Sequence, residues 1–249
     1  MTIHMFGAYF GLAISYVLGP PKESSKNNAH PSAVSDLLTM IGTTLLWVYW
    51  PSFVGATETG VPVNENVCVM HTILALLGST GAAFYMSQKL CKGKFDPVHI
   101  ANSTLAGGVA VGSSARLAMT PGGALLLGVL AGVASVYGYV YSTPMLEQTF
   151  GVYDTCGVGN LHGWPSVLGG LSSVVFVALD SDAEFLVYGG FWQCVCQFLG
   201  VLCTIAIALG SGYVSGLVMM KMAQEDAEQY DDGLWWEGEY FEKEKKEVE

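Results

Sequence analysis

The sequence predicts an all-α, polytopic transmembrane helix bundle of about seven spans, and three observations carry that prediction. Only 12% of residues are charged while 51% are hydrophobic, and 31 of 249 are Gly, more than a soluble helical domain carries. Seven windows free of Asp, Glu, Lys and Arg reach or approach the roughly 20 residues that a spanning helix needs. The intervals between them are short and rich in turn formers, among them Pro20, Pro21, Asn27, Asn28, Gly60, Pro62, Asn64 and Gly93. One continuous membrane domain over residues 1–222, followed by an acidic tail over 223–249, accounts for this pattern better than several soluble domains.

The first window, 1–21, has no basic leader and carries His4, so it reads as a span and not as a cleavable signal. The second, 37–57, ends in Trp47-Val48-Tyr49-Trp50-Pro51-Ser52-Phe53, four aromatics in seven residues. That cluster suits an interfacial belt, or a hydrophobic constriction whose ring faces attract a small cation. Windows 66–88 and 97–115 hold His71 and His99 near their ends, where interfacial placement explains them. In 97–115, 117–146 and 185–220 the small residues recur: Gly107-Gly108 with Gly112, Gly122-Gly123 with Gly128 and Gly132, and Gly210-Ser211-Gly212 with Gly216. They predict closely packed helix faces.

The sixth window, 155–179, follows Asp154 and opens on Thr-Cys-Gly-Val-Gly-Asn-Leu-His162-Gly-Trp-Pro165. Asp154 and Asn160 are helix-capping residues, and Gly157, Gly159 and Gly163 let the backbone bend or approach a neighbour. An irregular helix start at membrane depth is tolerated where it lines a cavity or is packed in protein. His4 and His162 both fall in windows suited to burial, and a neutral imidazole there costs several kcal/mol unless hydrogen-bonded. Each is either an interhelical bridge or half of a pair in a pore.

Orientation follows the ten Lys and Arg residues. One alternate set of loops holds Lys22, Lys26, Lys89, Lys92, Lys94 and Lys221, whereas the other holds Arg116 among Glu58, Glu65, Asp180, Asp182 and Glu184. The N-terminus is therefore expected outside and the C-terminus in the cytoplasm. From Lys221 onward the chain has 11 acids and 4 bases, so most of its net charge of −11 belongs to the tail and argues for no nucleic-acid partner. With Trp235, Trp236, Tyr240 and Phe241 among its acids, that tail is a solvated extension or a docking segment for a cytoskeletal adaptor. Cys68, Cys156, Cys194, Cys196 and Cys203 lie in or beside apolar windows and Cys91 in a Lys-rich loop, so no disulfide, metal or cofactor is predicted.

Five strings, MTIHMFGAYFGL, LLWVYWPSF, VHIANSTLAGGVAVG, DTCGVGNLHGWP and the following Gly169-Gly170, resemble the Rh glycoproteins, a branch of the ammonium transporter family, in order and separation. The resemblance implies an inverted-repeat fold, a homotrimer or Rh-family hetero-oligomer in the plasma membrane, and one pore per subunit. It implies that His4 and His162 are the twin pore histidines, Phe53 a phenylalanine of the external gate, and Asp154 the carboxylate that supports the second histidine. Trp47 and Trp50 remain structural in that reading. Ammonium would lose its proton near the gate, and ammonia would pass the imidazoles.

The chain also departs from the family pattern. Its start matches the fifth span of that pattern, so the first four spans are expected to be missing, and the chain is expected not to conduct alone. Arg116 stands where an acid is usual, Gly122 where a tyrosine is common, and Ser166 where glycine follows the proline. Competing functions are a carbon dioxide channel and a non-conducting Rh-like scaffold. An enzyme is disfavoured, since His162 and Asp154 have no nucleophile or ligand set beside them.

Overall fold

The computed structural model describes residues 1–21, 31–58, 62–117, 119–179, 189–222 and 230, and among these the regular structure is helical. In chain order the helices are α1 (His4–Leu18), α2 (Ala33–Gly55), α3 (Pro62–Leu90), α4 (Pro97–Ser103), α5 (Ala106–Val111), α6 (Pro121–Tyr137), α7 (Trp164–Leu179) and α8 (Gly190–Met222). Lys22, Lys26, His30, the 180–184 acids and the acidic tail apart from Tyr230 lie outside the described residues.

Helix ends follow capping chemistry more closely than they follow the charge-free windows. α2 begins four residues before its window because Ser32 and Ser35 form a reciprocal capping box, with Ser35 N donating to Ser32 Oγ at 3.1 Å and Ser32 N to Ser35 Oγ at 2.8 Å. Asp36 then sits in the first turn, where the helix dipole favours an acid. Likewise α3 runs through Glu65 in its first turn and Lys89 in its last, both on the side the dipole prefers.

Among the described residues, five helical segments are long and apolar enough to cross a membrane; window 1–21 forms the 15-residue α1, and window 97–115 is broken into α4 and α5. The window 97–115 is thus helical in two pieces, with a break at Thr104 and Leu105. It lies inside the protein: every residue of α5 is buried, and the Thr104 carbonyl freed there accepts from Ser79 Oγ at 2.6 Å. A side-chain donor thus does what the helix ladder no longer does.

α6 continues beyond its window through a π turn at Gly138–Ser142, one α turn at Thr143–Met145 and a second π turn at Leu146–Phe150, ending at Gly151 in the left-handed region. Pro144 explains the irregularity, since it lacks an N–H and crowds the carbonyl four residues earlier.

The core is the junction of α3, α5 and α6. The Ala75 carbonyl of α3 lies between Gly107 and Gly128, and a Cβ on either glycine would overlap it. Gly132 meets Ser79 and Ala82 in the same way, while Gly212 and Gly216 bring α8 onto Phe10 and Val17 of α1. The small-residue expectation therefore holds for these positions, but Gly122 and Gly210 face open space or only their own turn.

Loops that the alternating charge pattern groups together also meet in space. Arg116 Nη1 pairs with Glu58 Oε1 at 2.7 Å at one end. At the other, Ser15 Oγ donates to the Tyr153 carbonyl at 2.6 Å and accepts from Tyr153 N at 3.1 Å, and Tyr230 OH donates to the Gly19 carbonyl at 3.2 Å.

Candidate functional site

His162 is delivered by a π turn, Gly159–Gly163, that precedes α7. Asp154 starts this turn: its Oδ1 accepts from Val158 N at 2.9 Å and its Oδ2 from Gly159 N at 2.8 Å, so both carboxylate oxygens hold the first amides. Gly157 takes φ +70°, and a Cβ there would strike the Tyr139 ring, whose hydroxyl donates to the Gly157 carbonyl at 3.3 Å. Buried Asn160 ties the turn to α6 through a 2.7 Å bond from Nδ2 to Thr143 Oγ1. The two irregular segments, on α6 and before α7, therefore brace each other.

On this support, His162 lies parallel to His4 from α1, with ring centroids 5.0 Å apart and planes 2° apart. His4 also stacks on Trp50 from α2, at 5.3 Å and 16°. Trp50 is 7% exposed and its indole also packs on Gly108 of α5. Three rings from three separate segments thus form one column. Among the described residues, three buried side-chain polar atoms have no hydrogen-bond partner, and two of them, Trp50 Nε1 and His162 Nδ1, belong to this column. A buried polar atom left without a partner costs about 1–3 kcal/mol.

The structure distributes the remaining expected residues unevenly. Phe53 stands three residues beyond Trp50, 48% exposed, and among the described residues it makes no ring contact with the histidines. Trp50, read from sequence as structural only, is the aromatic that reaches His4; its three-residue spacing from Phe53 was the available signal, because i and i+3 share a helix face. His71 and His99 are covered by the protein itself. His71 is 3% exposed with Nδ1 at 2.8 Å from the Ala115 carbonyl, and His99 is 7% exposed beside Ser87, Cys91 and Tyr139. A groove of about 480 Å³, bordered by Tyr9, Tyr16, Met145, Trp164 and Tyr213, is apolar and includes neither histidine of the pair.

The long apolar helices, packed around a pair of half-buried imidazoles, define a multi-pass membrane protein. The chain belongs to the Ammonium Transporter Family, whose sequence profile matches residues 1–233, and within it to the Rh branch. It is 42% identical over 258 residues to ammonium transporter Rh type B of Xenopus tropicalis, a match covering 95% of this chain and 55% of that protein. The human Rh type B protein is 40% identical, with 98% and 57% covered. Among solved structures, Rh50 of Nitrosomonas europaea superposes with a TM-score of 0.77 at 35% identity, covering 99% of this chain and 61% of that one. A sensor Amt protein, 23% identical with a TM-score of 0.72 and coverages of 88% and 53%, shares the fold. The chain spans about half the length of the curated relatives it matches.

Proposed function

We propose that this chain forms part of a transmembrane ammonia channel whose conducting seam is the His4–His162 pair. The observation that carries the reading is the parallel stacking of the two imidazoles 5.0 Å apart, with His162 Nδ1 buried and unpartnered. Ammonia has one lone pair and three N–H groups, so imidazole nitrogens, each an acceptor or a donor according to tautomer, suit it in turn. The ammonium ion loses its proton first, because a desolvated cation at membrane depth costs far more than a neutral amine. Trp50 offers a ring face at the column's end and Phe53, one turn farther along α2, is assigned to the gate. Asp154 acts by holding the π turn that aims His162.

The same reading puts the N-terminus outside and the C-terminus in the cytoplasm of a plasma-membrane homotrimer. Supporting it, the two charge-defined loop sets meet at opposite ends of the bundle, and only 17% of the apolar window of α2 and 11% of that of α8 are buried within one chain.

The test is stopped-flow pH recovery in proteoliposomes under an ammonium gradient. Residues 1–249 are fused to the portion of the Xenopus relative that this chain does not match, which supplies the rest of the wall. Ammonia flux is expected to exceed that of protein-free vesicles and to fall to that level in His4→Leu/His162→Leu. Equal flux in the two proteins would overturn the pore assignment and favour a scaffold.

A further inference from the structure

The turn after α3 gathers three metal-ligating side chains, contrary to the expectation that the cysteines serve no such role. Cys91, Asp96 and His99 each offer one donor atom, the three lying within 4.8 Å of one another, and Cys91 Sγ is 3.7 Å from His99 Nδ1. A tetrahedral zinc ion with its usual bond lengths would separate sulfur and nitrogen ligands by about 3.6 Å. The pair therefore stands at the spacing of two ligands of one ion.

The backbone builds this arrangement by an unusual turn. Lys92 (φ +54°) and Gly93 (φ +84°) are both left-handed, and Gly93 N donates to the Gln88 carbonyl at 2.9 Å, closing the end of α3 in the manner of a Schellman cap. A non-glycine residue held there stores about 1–3 kcal/mol of strain. The reversal points Cys91 back toward the start of α4, where Asp96 caps Val98 N and His99 N through Oδ1 at 2.9 and 3.1 Å. Ser87 Oγ ties the two sides together, accepting from Asp96 N at 3.0 Å and lying 3.3 Å from His99 Nδ1. Thus one short connection, six residues from Cys91 to Asp96, is clamped before any ion arrives.

We infer that Cys91, Asp96 and His99 form a binding site for a divalent transition-metal ion of the zinc class. The donor set suits that ion: a soft thiolate, an imidazole and a carboxylate, three protein ligands with one position left for water. A thiolate and a carboxylate also neutralise a dication, which matters at a position where His99 is almost fully buried. Magnesium and calcium, which take oxygen donors, are selected against. The bound ion fastens α3 to α4, and His99 is in ring contact with Tyr139, the residue that braces the His162 turn.

The probe is cobalt(II), titrated into the purified full chain in detergent, with zinc(II) as competitor. The expected result is a thiolate-to-cobalt charge-transfer band that zinc abolishes. Cys91→Ser removes the band, and His99→Gln and Asp96→Asn, the latter keeping the helix cap, each weaken binding about tenfold or more, since even supporting partners of a metal site carry that much. Cys156→Ser and Cys196→Ser, both at exposed positions, leave it unchanged. Zinc also raises the thermal midpoint of the parent chain but not of Cys91→Ser. A missing band, or one that survives in Cys91→Ser, would overturn the assignment.

Discussion

The seam between α3 and α6 and the outer helix α8 are made of similarly apolar sequence and behave differently. Their best windows have mean hydropathies of 1.7, 1.8 and 2.0, yet 50%, 44% and 11% of those windows are buried within the chain. α2, with a hydropathy of 1.4, is only 17% buried, so apolarity does not rank helices by depth. Small residues and paired hydroxyls do. On α3, Thr72, Ser79 and Ser87 are fully buried, and Ser79 repairs a broken neighbour's ladder; on α8, Ser211 Oγ merely returns to its own helix at Ile207. Where lipid is the solvent, being apolar no longer drives a helix inward, and close backbone approach with satisfied polar groups decides position.

The sharpest way to break this contrast is Gly128→Leu beside Gly210→Leu. At Gly128 a side chain meets the Ala75 backbone, which cannot yield, and a loss of about 3 kcal/mol or more is expected, read as aggregation in detergent or a collapsed thermal midpoint. Gly210 has nothing within 4 Å, so its leucine variant should stay within about 0.5 kcal/mol of the parent. Equal effects would show that the seam is not the rigid part.

A smaller effect is expected for Ser79→Ala, about 1–2 kcal/mol, because the Thr104 carbonyl is left without its donor at a buried helix break. Ser211→Ala should be silent by the same thermal assay, its bond being duplicated by the helix itself. The smallest is Glu58→Gln. Its partner Arg116 is 38% exposed, so solvent screening holds the change in stability below about 1 kcal/mol, shrinking further in high salt.

Much of the site was legible because its parts violate the rules of an apolar span. His4 and His162 stood out as intramembrane imidazoles, and Asp154 with Gly157 announced an irregular helix start; the structure places all four in one braced unit. Trp50 had only its spacing from Phe53 to mark it, since an indole in an aromatic cluster is equally at home at an interface, and its stacking on His4 separates the two roles. The burial of His71 and His99 was not legible for a related reason: closeness to a window's end along the chain says nothing about which neighbours cover a residue.

By itself, the sequence determined that this chain lives in a membrane, where its helices run and which residues could not be there for hydrophobicity alone. Those are local properties, set by about 20 residues of side-chain chemistry and by caps that act within a turn. Only the tertiary structure decided that α4 and α5 break inside the bundle, that three rings share a column, and that Cys91, Asp96 and His99 converge. Each depends on partners distant in sequence or on a backbone reversal, and no periodicity along one strand of sequence encodes which faces meet.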